Sequence, residues 1–253
     1  MNKLENIFNL SSNKYSGFFD ETKFDNGLLK NLKCYIFLLT SDIEKIESFV
    51  SEIVKENKQK LKGNKLHFSV QLKDQQGDFI KRILTEINQF KIVCFYGFID
   101  ENSEKTSQEN KAIKRFNRIN QFGYDFTNFY QLGNRELEFK FFYDKGYLDN
   151  KEFIKSKVLV FKENTENQKS YELIPNSTKY RERINEAIKN KKSIIILEFS
   201  KTDPKNSGLQ IADYLLGAFR QLLNGNNEYY QIVKDKFYNK GCNFSLRGKS
   251  IFL

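Results

Sequence analysis

Two short stretches, "KIVCFYGFI" (91–99) and "KSIIILEFS" (192–200), constrain the fold of this chain more than any other feature. Each is almost continuously apolar, yet too short for a buried helix of ordinary length, so both read as strands covered on both faces, of the kind found in the middle of a sheet. "KCYIFLL" (33–39), "ELEFKFFYD" (136–144) and "SKVLVFKE" (156–163) read as further strands, and "YSGFFDET" (15–22) pairs with "KCYIFLL" across a turn-rich connection.

Between the strands the apolar period changes to that of helices. "SDIEKIESFVSEIVKEN" (41–57) opens with Ser41 as N-cap and Glu44 three residues on, the spacing of a capping box. Its Ile43, Ile46, Phe49, Val50 and Ile53 fall on one side. "GDFIKRILTEINQF" (77–90), "SQENKAIKRFNRINQF" (107–122), "STKYRERINEAIKN" (177–190) and "SGLQIADYLLGAFRQLL" (207–223) read as helices too, with "LHFSV" (66–70) a short extended piece. An antiparallel start followed by strand–helix alternation predicts an α/β fold, a mixed sheet covered by helices, and is compatible with a ribonuclease H-like arrangement. No linker forces a boundary. The expected organisation is an N-terminal arm over 1–14, one domain over 15–223, and a C-terminal extension over 224–253 packed on it.

Lys and Arg number 42 against 32 Asp and Glu, a formal charge of +10, which favours polyanionic partners, nucleic acid before anionic membrane. No apolar run approaches the roughly 18 residues of a membrane span, and the N-terminus reads poorly as a signal peptide, so the expected location is the cytoplasm. Cys34, Cys94 and Cys242 have no metal-ligand spacing; the first two sit in strand-like runs and read as buried thiols.

Against this background Asp213 stands out, at the edge of an apolar arc formed by Ala212, Leu215, Leu216, Phe219, Leu222 and Leu223. A carboxylate beside a core needs a partner or a neutralising proton. Arg220 on the same flank offers an ion pair, and Gly217 one turn on offers open space. Strand alternation places Phe18, Asp20 and Thr22 on one face and Phe19 and Glu21 on the other, while Asp144 closes a strand. Ends of strands are where open α/β sheets place their sites. Carboxylates meeting there would repel one another unless a divalent cation such as Mg²⁺ or Mn²⁺ held them.

"FFDET", the His of "LHFSV", "FFYDKG" and "FSKTDPKNSGLQIADYLLGAFR" follow one another in the order of the domain-of-unknown-function 3800 family, which the chain resembles from Tyr15 to Leu223. Leu209, Gln210, Ala212, Asp213 and Gly217 carry the most specific part of the resemblance. It implies a ribonuclease H-like fold, with Asp20, Glu21, Asp144 and Asp213 as the carboxylate set and His67, Ser200 and Lys201 at accompanying positions. Thr22-Lys23 stands where the family has Ser-Gly, Lys65 where an acidic residue often precedes the His, and Phe199 where one often precedes Ser200.

Two functions compete. One is a metal-dependent nuclease acting on RNA or DNA, with the cation on Asp20, Asp144 and Asp213, Lys201 steadying phosphate and His67 moving a proton. The basic face Lys111, Lys114, Arg115 and Arg118 would follow a phosphate backbone, or is simply a solvated helix face. Phe122, Tyr124, Phe126, Phe129 and Tyr130 would stack on bases or pack beneath a loop. The other is an inactive nucleic-acid-binding or scaffold subunit on the same fold, in a defence or mobile-element complex, with a protein partner or a second copy.

Overall fold

The computed structural model describes residues 14–24, 29–30, 32–100, 136–144, 158–162, 193–238, 244–246 and 249–251. The helices expected over 107–122 and 177–190 lie outside the described residues, and with them Lys111, Lys114, Arg115, Arg118, the aromatic stretch 121–134 and Cys242.

The chain is α/β. Strands β1 (Lys14–Lys23), β2 (Leu32–Thr40), β3 (Ile92–Asp100), β4 (Glu136–Tyr143), β5 (Val158–Lys162) and β6 (Ser193–Lys201) form one mixed sheet in the order β3-β2-β1-β4-β6-β5. The first three make an antiparallel meander, β4 and β6 run parallel to β1, and β5 returns antiparallel to β6. Helices α1 (Ile43–Glu56), α2 (Phe68–Lys73), α3 (Gly77–Ile87), α4 (Ser207–Leu223) and α5 (Glu228–Val233) complete the main body, and β7 (Phe244–Leu246) pairs with β8 (Lys249–Ile251). Among the described residues no helix is long and apolar enough to cross a membrane.

Both faces of the meander are buried. On one, Phe18, Ile36, Leu38 and Cys94 pack with Ile46, Val50 and Ile53 of α1, Ile80, Ile83, Leu84 and Ile87 of α3, and α4. Full burial of such side chains is worth about 1.5–3 kcal/mol each, which holds these amphipathic helices on the sheet. The other face carries an aromatic layer in which Phe37 touches Phe19 and Phe141 at ring distances of 5.0 and 5.1 Å. Helix α4 is buried over most of its surface, with Ile211, Tyr214 and Ala218 inside as well as the arc expected from its period, of which Leu222 alone is only partly buried. It lies close on β1 because Gly208 leaves room for the Phe18 ring, which any side chain there would strike.

Three expectations change. Strand β3 is an edge strand, not a central one; Phe237 bridges to Cys94 and the Tyr238 N–H bonds its carbonyl at 2.8 Å, so the C-terminal segment covers this edge. The segment after His67 is not extended but turns into α2, with His67 itself the last extended residue. The capping box of α1 does not form: the N-cap is Asp42, and its carboxylate is spent elsewhere, on Lys91 and Lys45.

Candidate functional site

Asp20, Asp144 and Asp213 come from distant parts of the chain and line one cavity of about 480 Å³ beside β1, α2 and α4. Their placement follows from local rules. Asp20 shares its face of β1 with Phe18, which packs on Gly208 of α4, and with Thr22, which accepts from Arg220. Asp144 follows the last residue of β4, where Phe142 packs beside Phe18 at 6.0 Å between rings. Asp213 lies on α4, whose start is fixed by Asn206 accepting from the backbone of Gly208 and Leu209 at 3.0 and 3.3 Å. Glu21 lines the cavity as well, and its backbone N–H donates to Asp20 Oδ1 at 2.8 Å.

The opposite wall is the strap 65–69. Buried polar side chains tie it to α4. Gln210 accepts from the Leu66 N–H at 2.6 Å and donates to the Lys205 carbonyl at 2.7 Å. Gln71 accepts from the His67 N–H at 2.8 Å and from the Tyr214 hydroxyl at 3.1 Å. The Phe68 N–H donates to Asp213 Oδ2 at 2.7 Å, and the Phe68 ring occupies the space above Gly217. Gly217 is therefore a contact surface for Phe68 and not the open space expected beside Asp213.

These bonds bring His67 to Asp213. Its Nδ1 lies 3.4 Å from Asp213 Oδ2 and 3.3 Å from Ser69 Oγ, with both the His67 and Asp213 side chains about one-third exposed. The ion pair offered by Arg220 does not form. Its guanidinium turns to Thr22 Oγ1 at 3.3 Å and lies 5.4 Å from the centre of the Phe24 ring. Lys201 is exposed at the end of β6 and does not line the cavity, and Ser200 is partly buried beside it.

Electrostatically the cavity is tense. Burial pushes the Asp20 carboxyl well above its ordinary 3.8, and the nearby charges of Asp213, Glu21 and Asp144 push it further than the Glu21 N–H can draw it back. Burial also raises Asp213, while His67, the Phe68 N–H, Lys65 and Arg220 pull it down without cancelling the rise. Such an arrangement can hold a proton between carboxylates or accept a cation among them. The oxygen-rich, anionic donor set suits Mg²⁺ or Mn²⁺. The spacing does not: among the described residues no group of three His, Cys, Asp or Glu side chains is drawn together closely enough to hold a metal ion.

No family model, curated protein or solved structure matches the chain. The site therefore rests on its own geometry. The sequence points to the three aspartates, Glu21 and His67, but offers Arg220 only as a partner of Asp213 and gives no sign of Gln71, Tyr214 or Lys73. Buried Gln71, directly after Ser69 and Val70, carries no local signal that its amide faces inward.

Proposed function

We propose that this protein is a ribonuclease H-like nuclease of the kind found in the domain-of-unknown-function 3800 family, hydrolysing a phosphodiester at the cavity between β1, α2 and α4. The antiparallel meander continued by strands parallel to β1 supports the fold reading. One observation carries the chemical reading: carboxylates from β1, the end of β4 and α4 share one cavity, in which burial and the charges of Asp213, Glu21 and Asp144 raise the Asp20 carboxyl. A stable fold gains nothing from that repulsion, so its use lies in chemistry.

Asp20, Asp144 and Asp213 would take a divalent cation only by closing from the spacing they have here. When bound, it would supply a water of lowered pKa and neutralise charge on the leaving oxygen. His67 has its own part. With Nδ1 engaged by Asp213 and Ser69, Nε2 is the ring nitrogen left to give or take a proton at the substrate.

The open spacing of the carboxylates favours a second reading, a nucleic-acid-binding subunit on the same fold without catalysis. Purified full-length protein separates the two. The nuclease reading expects a rise in melting temperature with Mn²⁺, about 2.7 kcal/mol of added stability at a hundredfold excess over Kd. It also expects Mg²⁺- or Mn²⁺-dependent cleavage of RNA or DNA, lost in Asp20→Asn, Asp144→Asn and Asp213→Asn. His67→Gln should slow cleavage by about 10²-fold. Binding without cleavage or a Mn²⁺ shift would leave only the second reading.

A further inference from the structure

The cavity that gathers carboxylates also gathers cations, and these are unpaired. Lys65, Lys73 and Arg220 all line it, and none of them is in an ion pair among the described residues. Lys65 and Arg220 both stand close enough to Asp213 to draw its carboxyl down. Lysines on a solvated rim keep a wide choice of positions. Arg220 is different.

Its guanidinium is held at two points. It lies over Phe24, a ring that is itself buried, with the cation 5.4 Å from the ring centre. One N–H reaches Thr22 Oγ1 at 3.3 Å, a long bond that orients more than it satisfies. A guanidinium has five N–H donors, so most of the fork remains for a ligand. A planar fork with fixed orientation matches the oxygens of a phosphate two at a time.

Position along β1 adds a second constraint. Thr22 is two residues beyond Asp20 on the same face, about 6.6 Å along the strand. An anion seated on Arg220 therefore sits beside the Asp20 carboxyl without covering it. From α4, Arg220 lies two turns beyond Asp213, about 10.5 Å along the axis. The arm reaches a group neighbouring the reacting centre.

We propose that Arg220, with Lys65 as a second cation, is the phosphate-binding arm of this cavity, and that it recognises the phosphate group of a single-stranded nucleic acid next to the bond presented to the aspartates. This rests on the nuclease or nucleic-acid-binding reading of the same cavity, and it assigns to Arg220 the role that Lys201 was expected to play. Arg220 is partly buried between α4 and the end of β1, so a flexible single strand, free to turn a phosphate inward, suits it better than a stiff duplex.

Binding of a fluorescent oligothymidylate to the full chain, without divalent cation, tests it apart from cleavage. Arg220→Gln should weaken binding at least tenfold and reduce the slope of log K against log salt by about 1. Arg220→Lys should keep the slope and lose part of the affinity, because it retains the charge and loses the fork. Unchanged far-ultraviolet circular dichroism and melting temperature in Arg220→Lys show that Phe24 packing survives. Inorganic phosphate should compete for the wild type and not for Arg220→Gln; competition equal in both, or an unchanged salt slope in Arg220→Gln, overturns the proposal. Cleavage with undiminished affinity in Arg220→Gln would defeat this inference and leave the nuclease reading standing. Arg220-dependent binding with no cleavage under any metal would do the reverse.

Discussion

Two partly buried carboxylate sites in this chain make opposite use of the same chemistry. At the start of α1, Asp42 is 9% exposed and fully engaged. Its Oδ2 accepts from the Lys91 N–H at 2.7 Å and its Oδ1 from Lys45 Nζ at 3.2 Å, while its own N–H donates to Thr40 Oγ1, which in turn donates to the Lys91 carbonyl. Burial pushes the Asp42 carboxyl up, yet the Lys91 N–H and Lys45 outweigh it and hold it below the ordinary 3.8. In the cavity, Asp20 has one backbone N–H and three like charges, and its proton is held instead of released. One corner is finished within the protein. The other is left short of donors, so burial and like charges prevail there.

The largest stability effect should come from breaking the finished corner. Asp42→Ala removes the charged acceptor of the Lys91 N–H and releases the link between α1 and the start of β3, at a cost of about 2 kcal/mol. Urea denaturation should show the midpoint falling, with oligonucleotide affinity per folded molecule unchanged. Asp20→Asn should do the opposite. The amide oxygen can still accept the Glu21 N–H, the amide has no charge to bury beside Asp213, Glu21 and Asp144, and stability should rise by about 1 kcal/mol at neutral pH while cleavage is lost. A destabilised Asp20→Asn would mean that the cavity carboxylates are as structural as Asp42.

The same contrast sets the pH dependence. Between its ordinary 3.8 and its raised folded value, Asp20 keeps a proton that the unfolded chain has lost, so folded protein binds more protons and stability falls as pH rises through that window. Asp42, lowered by its donors, contributes stability that is present above 3.8 and lost as pH falls through its folded value. Melting curves from acid to neutral pH should therefore show an optimum in the wild type. Asp20→Asn should flatten the neutral side alone. An unchanged neutral slope in that variant would separate Asp20 from the effect.

What the sequence disclosed and what it hid divides along similar lines. Periodicity carries the strands, α1, α3 and α4 because burial of Ile46, Val50, Ile80 or Leu215 is repeated along one element. Strand parity carried Asp20 to the face of β1 that meets α4. Hidden were the features fixed by partners far along the chain. Asp42, not Ser41, starts α1 because Lys91, 49 residues on, needs an acceptor there. Strand β3 reads as central because its edge is closed by Phe237 and Tyr238, which no local pattern announces. Phe68 fills the gap over Gly217, and Gln71 and Tyr214 meet across 143 residues. Arg220 lay on the flank of Asp213 as its helical spacing required, but its direction was decided by Phe24 and Thr22 on β1 and just beyond it.

The smallest effect sharpens what holds Asp42. Lys45 is 69% exposed where it meets that carboxylate, so the pair is screened by water and salt and orders a long side chain for little gain. Lys45→Ala should change stability by less than about 0.5 kcal/mol, and added salt should leave the wild type equally unmoved. The backbone donor of Lys91 offers no such escape, since it is fixed by the chain and sits 2.7 Å from the other oxygen. Were Lys45→Ala to cost as much as Asp42→Ala, the corner would be an ion pair that happens to touch a backbone amide. A negligible loss instead places the stability of this corner in the amide bond, the kind of partner that Asp144 lacks among the described residues and that Asp213 only half possesses through Phe68.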